Sequence, residues 1–401
     1  MKCYDDLVYR GLIKDMTNNE DFVKRLNKGG MTFYIGTDPT ADSLHLGHLS
    51  SFLICERLAR YGHHPIVLVG GATGLVGDPR PTKERDTASE DFIAKNAEGI
   101  KEQLAKYFPN CKMVNNLDWT KDVTFIDFLR EYGKYFNINY MINKDIIKRR
   151  LDEGISYTEF SYMLMQAYDF LWLYGHEGCE MQVAGQDQWG NITSGVELIR
   201  KKLDKEAYAF TMPLVTTKSG VKFGKSEGNA LWLDKEKTSS YVMYQYLVNA
   251  EDEMVIEYLK RFTFLSKEEI DKLEESTKKE PEKRLAQKAL AYEVVKFLHG
   301  EEEAENARKT SEEVFSKGFS EEGMEEKEIS LTDNMNIMDL LVATELAPSK
   351  SEARRLVAGN GISINSEKVS DPELKITKDM FKEKFILSKG KKNHIKVNLS
   401  K

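Results

Sequence analysis

Residues 34–48 read YIGTDPTADSLHLGH, and they join two different periodicities. The run Thr32–Gly36 is apolar and short enough for a buried strand, while from about Leu46 to Tyr61 apolar residues recur at helical spacing. The turn between them is rich in Asp, Pro and Thr, residues that suit turns and caps. Outward from this stretch the pattern repeats. Pro65–Val69 is a second apolar strand ending in Gly70-Gly71. Met181–Ala184 is another, followed by Gly185 and a helix near Asn191–Leu203, and Thr211–Thr216 is one more. Strands alternating with helices imply an α/β fold with a parallel sheet and ligand sites at the carboxyl ends of the strands.

The chain has 401 residues, too many for one ordinary core, so two or three domains are expected. From about Ser239 to Gly300 the period turns helical, with Tyr241, Tyr244, Leu247, Val248, Val255, Tyr258 and Leu259 on helix spacing. Residues 301–336 hold twelve acidic against four basic residues, and 337–401 reverse the sign with thirteen basic against eight acidic. That reversal marks the clearest boundary. The net charge of −7 argues against a protein that coats nucleic acid, while leaving room for one local basic surface. The four cysteines are scattered without a C-x-x-C pair, which suggests reduced thiols. No signal-peptide core and no apolar run of membrane-spanning length is present, so the expectation is a cytoplasmic protein with no membrane partner.

His45 and His48 are three residues apart, so they share one face at a helix start. Unpaired N–H groups and the helix dipole favour anions there, and Gly47 permits close approach of a nucleotide. Two histidines on a solvated helix would look the same. Zinc lacks further His or Cys ligands nearby. Lys222-Phe223-Gly224-Lys225-Ser226 places two lysines around a glycine, a mobile cationic clamp suited to pyrophosphate, or simply a basic surface loop. In EFSYMLMQAYDFLWL (159–173), Tyr162, Gln166 and Asp169 form a polar stripe on an otherwise apolar helix. The stripe faces either solvent or a substrate. Tyr34 lies in the first strand, and its hydroxyl can both donate and accept.

HLGH followed by KFGKS resembles the HIGH and KMSKS pair of class I aminoacyl-tRNA synthetases, with both histidines, the glycine and both lysines retained. YIGTDPTADSLHLGHL, LVGGATGLVGDP, SYTEFSYMLMQAYDFL and GQDQWGNI, in that order, are similar to the bacterial tyrosine–tRNA ligase family. The resemblance implies a Rossmann-like catalytic domain over 1–218 with an inserted dimerisation region. It implies a KMSKS loop and α-helical anticodon-region domain over 219–300. An acidic linker at 301–336 and a small α+β S4-like RNA-binding domain at 337–401 complete the division. It also implies ATP as a substrate with Mg²⁺, L-tyrosine and its tRNA as partners, and a homodimer. Apolar residues in the Phe125–Tyr140 region, including Phe128, Leu129 and Phe136, fit an interface or a core equally.

Carried over residue by residue, the resemblance puts Tyr34 and Asp169 on the tyrosine hydroxyl. Asp78, Tyr162 and Gln166 take the α-ammonium, and Gln188 the carboxyl side. Gly36, Asp38, Gly47, Gly185 and Asp187 face the adenylate and its ribose. Thr40, His45, Lys222, Lys225 and Ser226 would bind the departing phosphates, with His48 at the ribose. The loop Arg80–Arg85 differs in length from the family pattern, so Lys83 and Arg85 carry over only weakly as phosphate ligands. MDLLVATELAPSKSEARRLVAGNGISINSEKV (338–369) resembles the S4 domain, with Lys350, Arg354 and Arg355 toward RNA phosphates. A charged module for protein contacts fits the same pattern. Tryptophan–tRNA ligase, a non-catalytic RNA-binding protein on a synthetase scaffold, and another nucleotidyltransferase stay open as rivals. Pyrophosphate exchange with each amino acid separates them.

Overall fold

The structure, a computed structural model, describes residues 1–17, 19–79, 88–151, 154–226, 229–317, 325–332, 335–359, 361–365, 367–381, 385–390 and 393–399. Lys83 and Arg85 fall outside the described residues. The chain forms two compact units, Met1–Glu305 and Asn306–Lys401. Among the described residues no helix is long and apolar enough to cross a membrane.

The first unit is built on a six-stranded sheet of β1 (Asp15–Met16), β2 (Thr32–Thr37), β3 (His64–Val69), β4 (Lys112–Asn115), β5 (Cys179–Gly185) and β6 (Tyr208–Met212), in the order β1-β6-β5-β2-β3-β4. All neighbours are parallel except β1, which runs antiparallel to β6. Phe33, Tyr34, Ile35, Ile66, Val67 and Leu68 are buried, because helices cover both faces of a parallel sheet and its central strands read as continuous apolar runs. The sequence reading had β6 running on to Thr216. It ends at Met212, since Pro213 has no N–H to donate to the ladder. Strands β1 and β4 were not read in advance. The first is two residues long, and the second carries no strongly apolar run.

The helix Leu46–Ala59 follows β2, and Tyr157–Glu177 precedes β5. The latter starts where the Ser156 hydroxyl accepts from Glu159 N–H at 3.2 Å and stops at Gly178, whose φ is +61°. Its Met163, Leu164, Ala167, Phe170, Leu171 and Leu173 are buried. After β6 come two short strands, β7 (Lys225–Ser226) and β8 (Asn229–Ala230), and then four helices: Ser240–Val248, Val255–Phe262, Lys267–Lys279 and Leu285–His299. Tyr244, Leu247, Val248, Tyr258 and Leu259 form their core, as the helical spacing implied. Arg10 and Arg57 tie this layer to the sheet layer. Arg57 donates to the Thr263 carbonyl at 2.8 Å, and Arg10 to those of Lys260 at 3.0 Å and Leu265 at 2.8 Å. They satisfy carbonyls that the Val255–Phe262 helix leaves open at its end.

The second unit carries a five-stranded sheet of β9 (Glu325–Ile329), β10 (Ile362–Ile364), β11 (Glu367–Val369), β12 (Ile386–Lys389) and β13 (Asn393–Leu399), in the order β11-β10-β12-β13-β9. The helices Ile337–Ala343 and Lys350–Ala358 share a core with it through Leu340, Leu341, Ala353, Val357, Ile362 and Leu387. Residues 301–336, read as a linker, contain the helix Glu301–Lys317 and the strand β9, which pairs parallel to β13.

Candidate active site

The carboxyl ends of β2, β3, β4 and β5 carry a connected polar network, where ligands of open parallel sheets bind. Asp38 follows β2. It accepts from the Tyr162 hydroxyl at 2.8 Å and from the Thr73 hydroxyl at 2.7 Å. Gly70, just after β3, makes room for this carboxylate: a Cβ there would lie 2.2 Å from Asp38 Oδ1 and 2.4 Å from Thr73 Oγ1. Asp78 forms a second node, accepting from Gln188 Nε2 at 2.8 Å and Asn191 Nδ2 at 3.1 Å. The two carboxylates thus stand on different partners, Asp38 with Tyr162 and Asp78 with Gln188.

Behind them lies Asp169, 2% exposed. Asn116 Nδ2 donates to its Oδ2 at 2.9 Å and Trp119 Nε1 to its Oδ1 at 2.9 Å. Asn116 is itself fixed, donating to Thr73 and accepting from Ala72 N–H. Burial pushes the Asp169 carboxyl up to about 7, against the pull of these two donors and with help from the negative charge of Asp38. The Tyr34 phenol is 1% exposed and is held far above its usual range, by burial first and then by Asp169 and Cys179. Its hydroxyl is buried without a hydrogen-bond partner, and so are Gln166 Oε1 and Gln182 Oε1. Gln182 pairs with Tyr34 in the β2–β5 register, so the two side chains leave the same face of the sheet. Each such buried orphan costs about 1–3 kcal/mol unless something answers it.

The sequence reading brought Tyr34, Tyr162, Gln166 and Asp169 together, and the structure packs them around this network. It had missed Thr73, Asn116, Trp119, Gln182 and Asn191. Only the position of Asn116 at a strand end, and of Gln182 on a central strand, signalled them. Thr40 and Asp187 are exposed, and Gly36 is open at the end of β2. A Cβ on Gly185 would lie 2.7 Å from Oδ1 of the exposed Asp187, so the two residues border the same turn.

At the start of the Leu46–Ala59 helix, His45 and His48 stack with ring centres 3.8 Å apart, and His45 N–H donates to His48 Nδ1 at 3.4 Å. Burial, then His45 and Lys222, push the His48 imidazole down to about 3, so it is neutral at neutral pH. Lys222 is exposed and near enough for its charge to act on that ring. Gly224, with φ +91°, sits directly on the HLGH turn: a Cβ on it would lie 2.6 Å from Gly47 N. Phe223 is anchored in an aromatic box, its ring centre 4.2 Å from Tyr258, 5.2 Å from Phe262 and 5.3 Å from Tyr246. The backbone of Lys225 and Ser226 forms β7, while their side chains lie outside the described residues.

In the second unit, Lys350, Arg354 and Arg355 line one depression with Met338, Ser351 and Ala358. All three cations are exposed, and each faces a carboxylate: Asp339 at 2.5 Å, Glu373 at 2.9 Å and Glu352 at 3.6 Å. Such exposed pairs are worth little.

Residues 25–316 match the family model described as tRNA synthetases class I (W and Y), and residues 315–397 match the tyrosine–tRNA ligase SYY-like C-terminal domain. The chain is 46% identical to the tyrosine–tRNA ligase of Bacillus velezensis over 97% of its own length and 98% of that protein. It is 45% identical to tyrosine–tRNA ligase 1 of Bacillus subtilis over 98% of each. The crystal structure of a C-terminally truncated mitochondrial tyrosyl-tRNA synthetase from Aspergillus nidulans superposes with a TM-score of 0.72 at 33% identity, covering 78% of this chain and 94% of that one. The family matches and the full-length relatives agree: the chain belongs to the tyrosine–tRNA ligases of the class I aminoacyl-tRNA synthetases.

Proposed function

We propose that the orphaned polar atoms of Tyr34, Gln166 and Gln182, beside the buried Asp169, are the recognition surface for L-tyrosine. The substrate phenol would donate to Asp169 and accept from Tyr34, answering the buried Tyr34 hydroxyl. A site built to hydrogen-bond a hydroxyl rejects the analogue lacking it, and tyrosine–tRNA ligases are themselves the reference case for that rule. Asp78, Tyr162 and Gln166 then take the α-ammonium, and Gln188 lies toward the carboxylate. The hydrogen bond of Gln188 to Asp78 supports this reading, because it places an amide from the carboxyl side next to a carboxylate for the ammonium.

The tyrosine carboxylate, ionised at neutral pH, attacks the α-phosphorus of ATP, and pyrophosphate leaves with the bridging oxygen. No protein nucleophile is needed, so catalysis is positioning and charge stabilisation. Thr40, His45, Lys222, Lys225 and Ser226 bind the departing phosphates. His48, neutral at working pH and with Nδ1 accepting from His45 N–H, would donate from Nε2 to the ribose, and Gly36, Asp38, Gly47, Gly185 and Asp187 border the adenylate. A ribose hydroxyl of the tRNA's terminal adenosine then attacks the adenylate carbonyl and releases AMP. Among the described residues no three His, Cys, Asp or Glu side chains are grouped so as to hold a metal ion. Magnesium that comes with ATP would be held by phosphate oxygens.

Lys350, Arg354 and Arg355 are assigned to tRNA phosphates, within an S4-like domain over 337–401. The anticodon-region role falls to the helices of 219–300. Dimerisation is assigned to the patch of Phe125, Ile126, Leu129 and Ile138, which are 64%, 67%, 39% and 56% exposed, whereas Phe128 and Phe136 pack against the core. Cytoplasmic residence fits the free cysteines. The observation that carries the reading is the unanswered Tyr34 hydroxyl next to Asp169. Tyrosine-dependent ATP–pyrophosphate exchange tests it: exchange with tyrosine and none with phenylalanine or tryptophan is expected, and exchange driven equally by phenylalanine would overturn it.

A further inference from the structure

The HLGH turn and the lysine loop are joined by a strip of backbone that neither motif contains. Leu46 N–H donates to the Leu231 carbonyl at 2.7 Å, and Leu233 N–H to the Leu44 carbonyl at 2.8 Å. These bonds flank His45 and Trp232, which face each other as an isolated antiparallel bridge. Residues paired this way exchange no hydrogen bond themselves, lie with Cα atoms about 4.5 Å apart and send both side chains off one face. The indole accordingly lies against the His45 imidazole, with ring centres 6.3 Å apart and planes at 58°. His45 in turn stacks on His48.

Trp232 is held from several sides. Its N–H donates to Thr238 Oγ1 at 2.9 Å. Lys237 Nζ lies 5.4 Å from the indole centre and forms an ion pair with Asp42, in the turn that leads into His45. The next residue, Leu233, has its carbonyl 2.8 Å from the Tyr107 hydroxyl that donates to it and 3.0 Å from His299 Nε2. The outgoing arm of the lysine loop is therefore a fixed rail, and its one large ring is aimed at a histidine assigned to phosphate.

We propose that Trp232 is a positioning residue for adenylate formation: it holds the His45 imidazole in the orientation that meets the departing pyrophosphate, and couples that orientation to the lysine loop. An imidazole on the first turn of a helix has two free torsions, and removing them in advance is worth most where reacting atoms must be placed within a fraction of an ångström. The ring contact with His45 is the route by which Trp232 would act. The inference rests on the reading of His45 as a phosphate ligand.

The test is single-turnover adenylate formation on the full chain, with tyrosine affinity measured separately. Trp232→Ala should slow the step about tenfold while the tyrosine dissociation constant stays within about twofold, and Trp232→Phe, which keeps a ring, should recover most of the rate. The decisive variant is the double, His45→Ala with Trp232→Ala. If Trp232 acts through His45, the double is no slower than His45→Ala alone; if the two losses multiply, the inference is overturned. A parental rate in Trp232→Ala overturns it as well. Should Trp232→Ala not fold, Lys237→Met loosens the indole from outside, and a loss that is equal with and without His45 overturns the proposal. An unchanged rate in His45→Ala alone removes the premise, and is told apart because it shows in that single variant.

Discussion

Fifty positions separate Trp119 from Asp169 in the chain, yet the indole Nε1–H donates to Oδ1 of the buried carboxylate at 2.9 Å. With Asn116 on the other oxygen, the carboxylate is aimed before any substrate arrives. A hydrogen bond to a charged group is worth about 1.5–3 kcal/mol, so Trp119→Phe should weaken tyrosine binding by that order and narrow the margin over phenylalanine. Equilibrium binding of both amino acids measures it. Parental affinity in the variant would show that the indole does not orient Asp169.

The pH dependence follows from the same carboxyl. Without ligand its pKa is raised from 3.8 to about 7. The protonated form therefore favours the folded chain, a contribution fully present at pH below 3.8 and lost as pH rises through about 7. A donated phenol reverses the preference, so tyrosine binding should drive the proton off. The KM for tyrosine is expected to rise as pH falls below about 7, and Asp169→Asn should flatten that profile. A KM for tyrosine that does not change between pH 8 and 6, with about tenfold per pH unit as the ceiling, would count against an ionised acceptor.

His45→Ala and Lys225→Ala should each lower the rate of adenylate formation by about 10²–10³, roughly 2.7–4 kcal/mol, by loss of one preorganised donor to growing phosphate charge. Tyrosine affinity should barely move, because the residues proposed to meet the phenol are different ones. Stopped-flow kinetics at saturating tyrosine separates the two effects, and unchanged rates in both variants would reassign the motifs.

Gly70→Ala puts a methyl group 2.2 Å from Asp38 Oδ1 and 2.4 Å from Thr73 Oγ1. The Thr73–Asp38–Tyr162 chain must shift, with a cost of about 1–3 kcal/mol of the kind seen for overpacked cores. Thermal unfolding should show the loss, and ATP-dependent activation should fall with it. A variant with parental melting temperature and exchange rate would mean the network tolerates displacement.

Arg354→Ala and Arg355→Ala, on an exposed helix face, should leave tyrosine activation untouched. Each should weaken tRNA binding, with the slope of log affinity against log salt reduced by about 1 if one phosphate contact is lost. Filter binding at several salt concentrations reads this directly. Equal tRNA affinity in both variants would assign the patch to protein contacts instead.

The parallel sheet was legible because buried strands such as Pro65–Val69 announce themselves by unbroken apolar composition, and the helices around Asp169 by their period. Part of the candidate site was legible for the same reason: Tyr162, Gln166 and Asp169 share a polar stripe on a buried helix, which must find partners, and Asp38, Asn116 and Trp119 supply some of them. The edge strands Asp15–Met16 and Lys112–Asn115 were not legible. The first is two residues long and the second, of four, has little apolar character, so their pairing depends on a neighbour already being present. Thr211–Thr216 was misplaced because the apolar run continues past Pro213, where the ladder cannot.

The amino-acid order alone determined the local elements, the two glycine-bearing motifs HLGH and KFGKS and the charge reversal of the tail, since each depends on residues close together in the chain. Only tertiary structure decided who meets whom: Asn116 and Trp119 on Asp169, Gln182 beside Tyr34, and Trp232 against His45. Those partners come from separate strands and loops. Side-chain hydrogen bonds and ring contacts carry no periodicity, so nothing in the sequence marks them until the sheet closes and brings its carboxyl ends to one place.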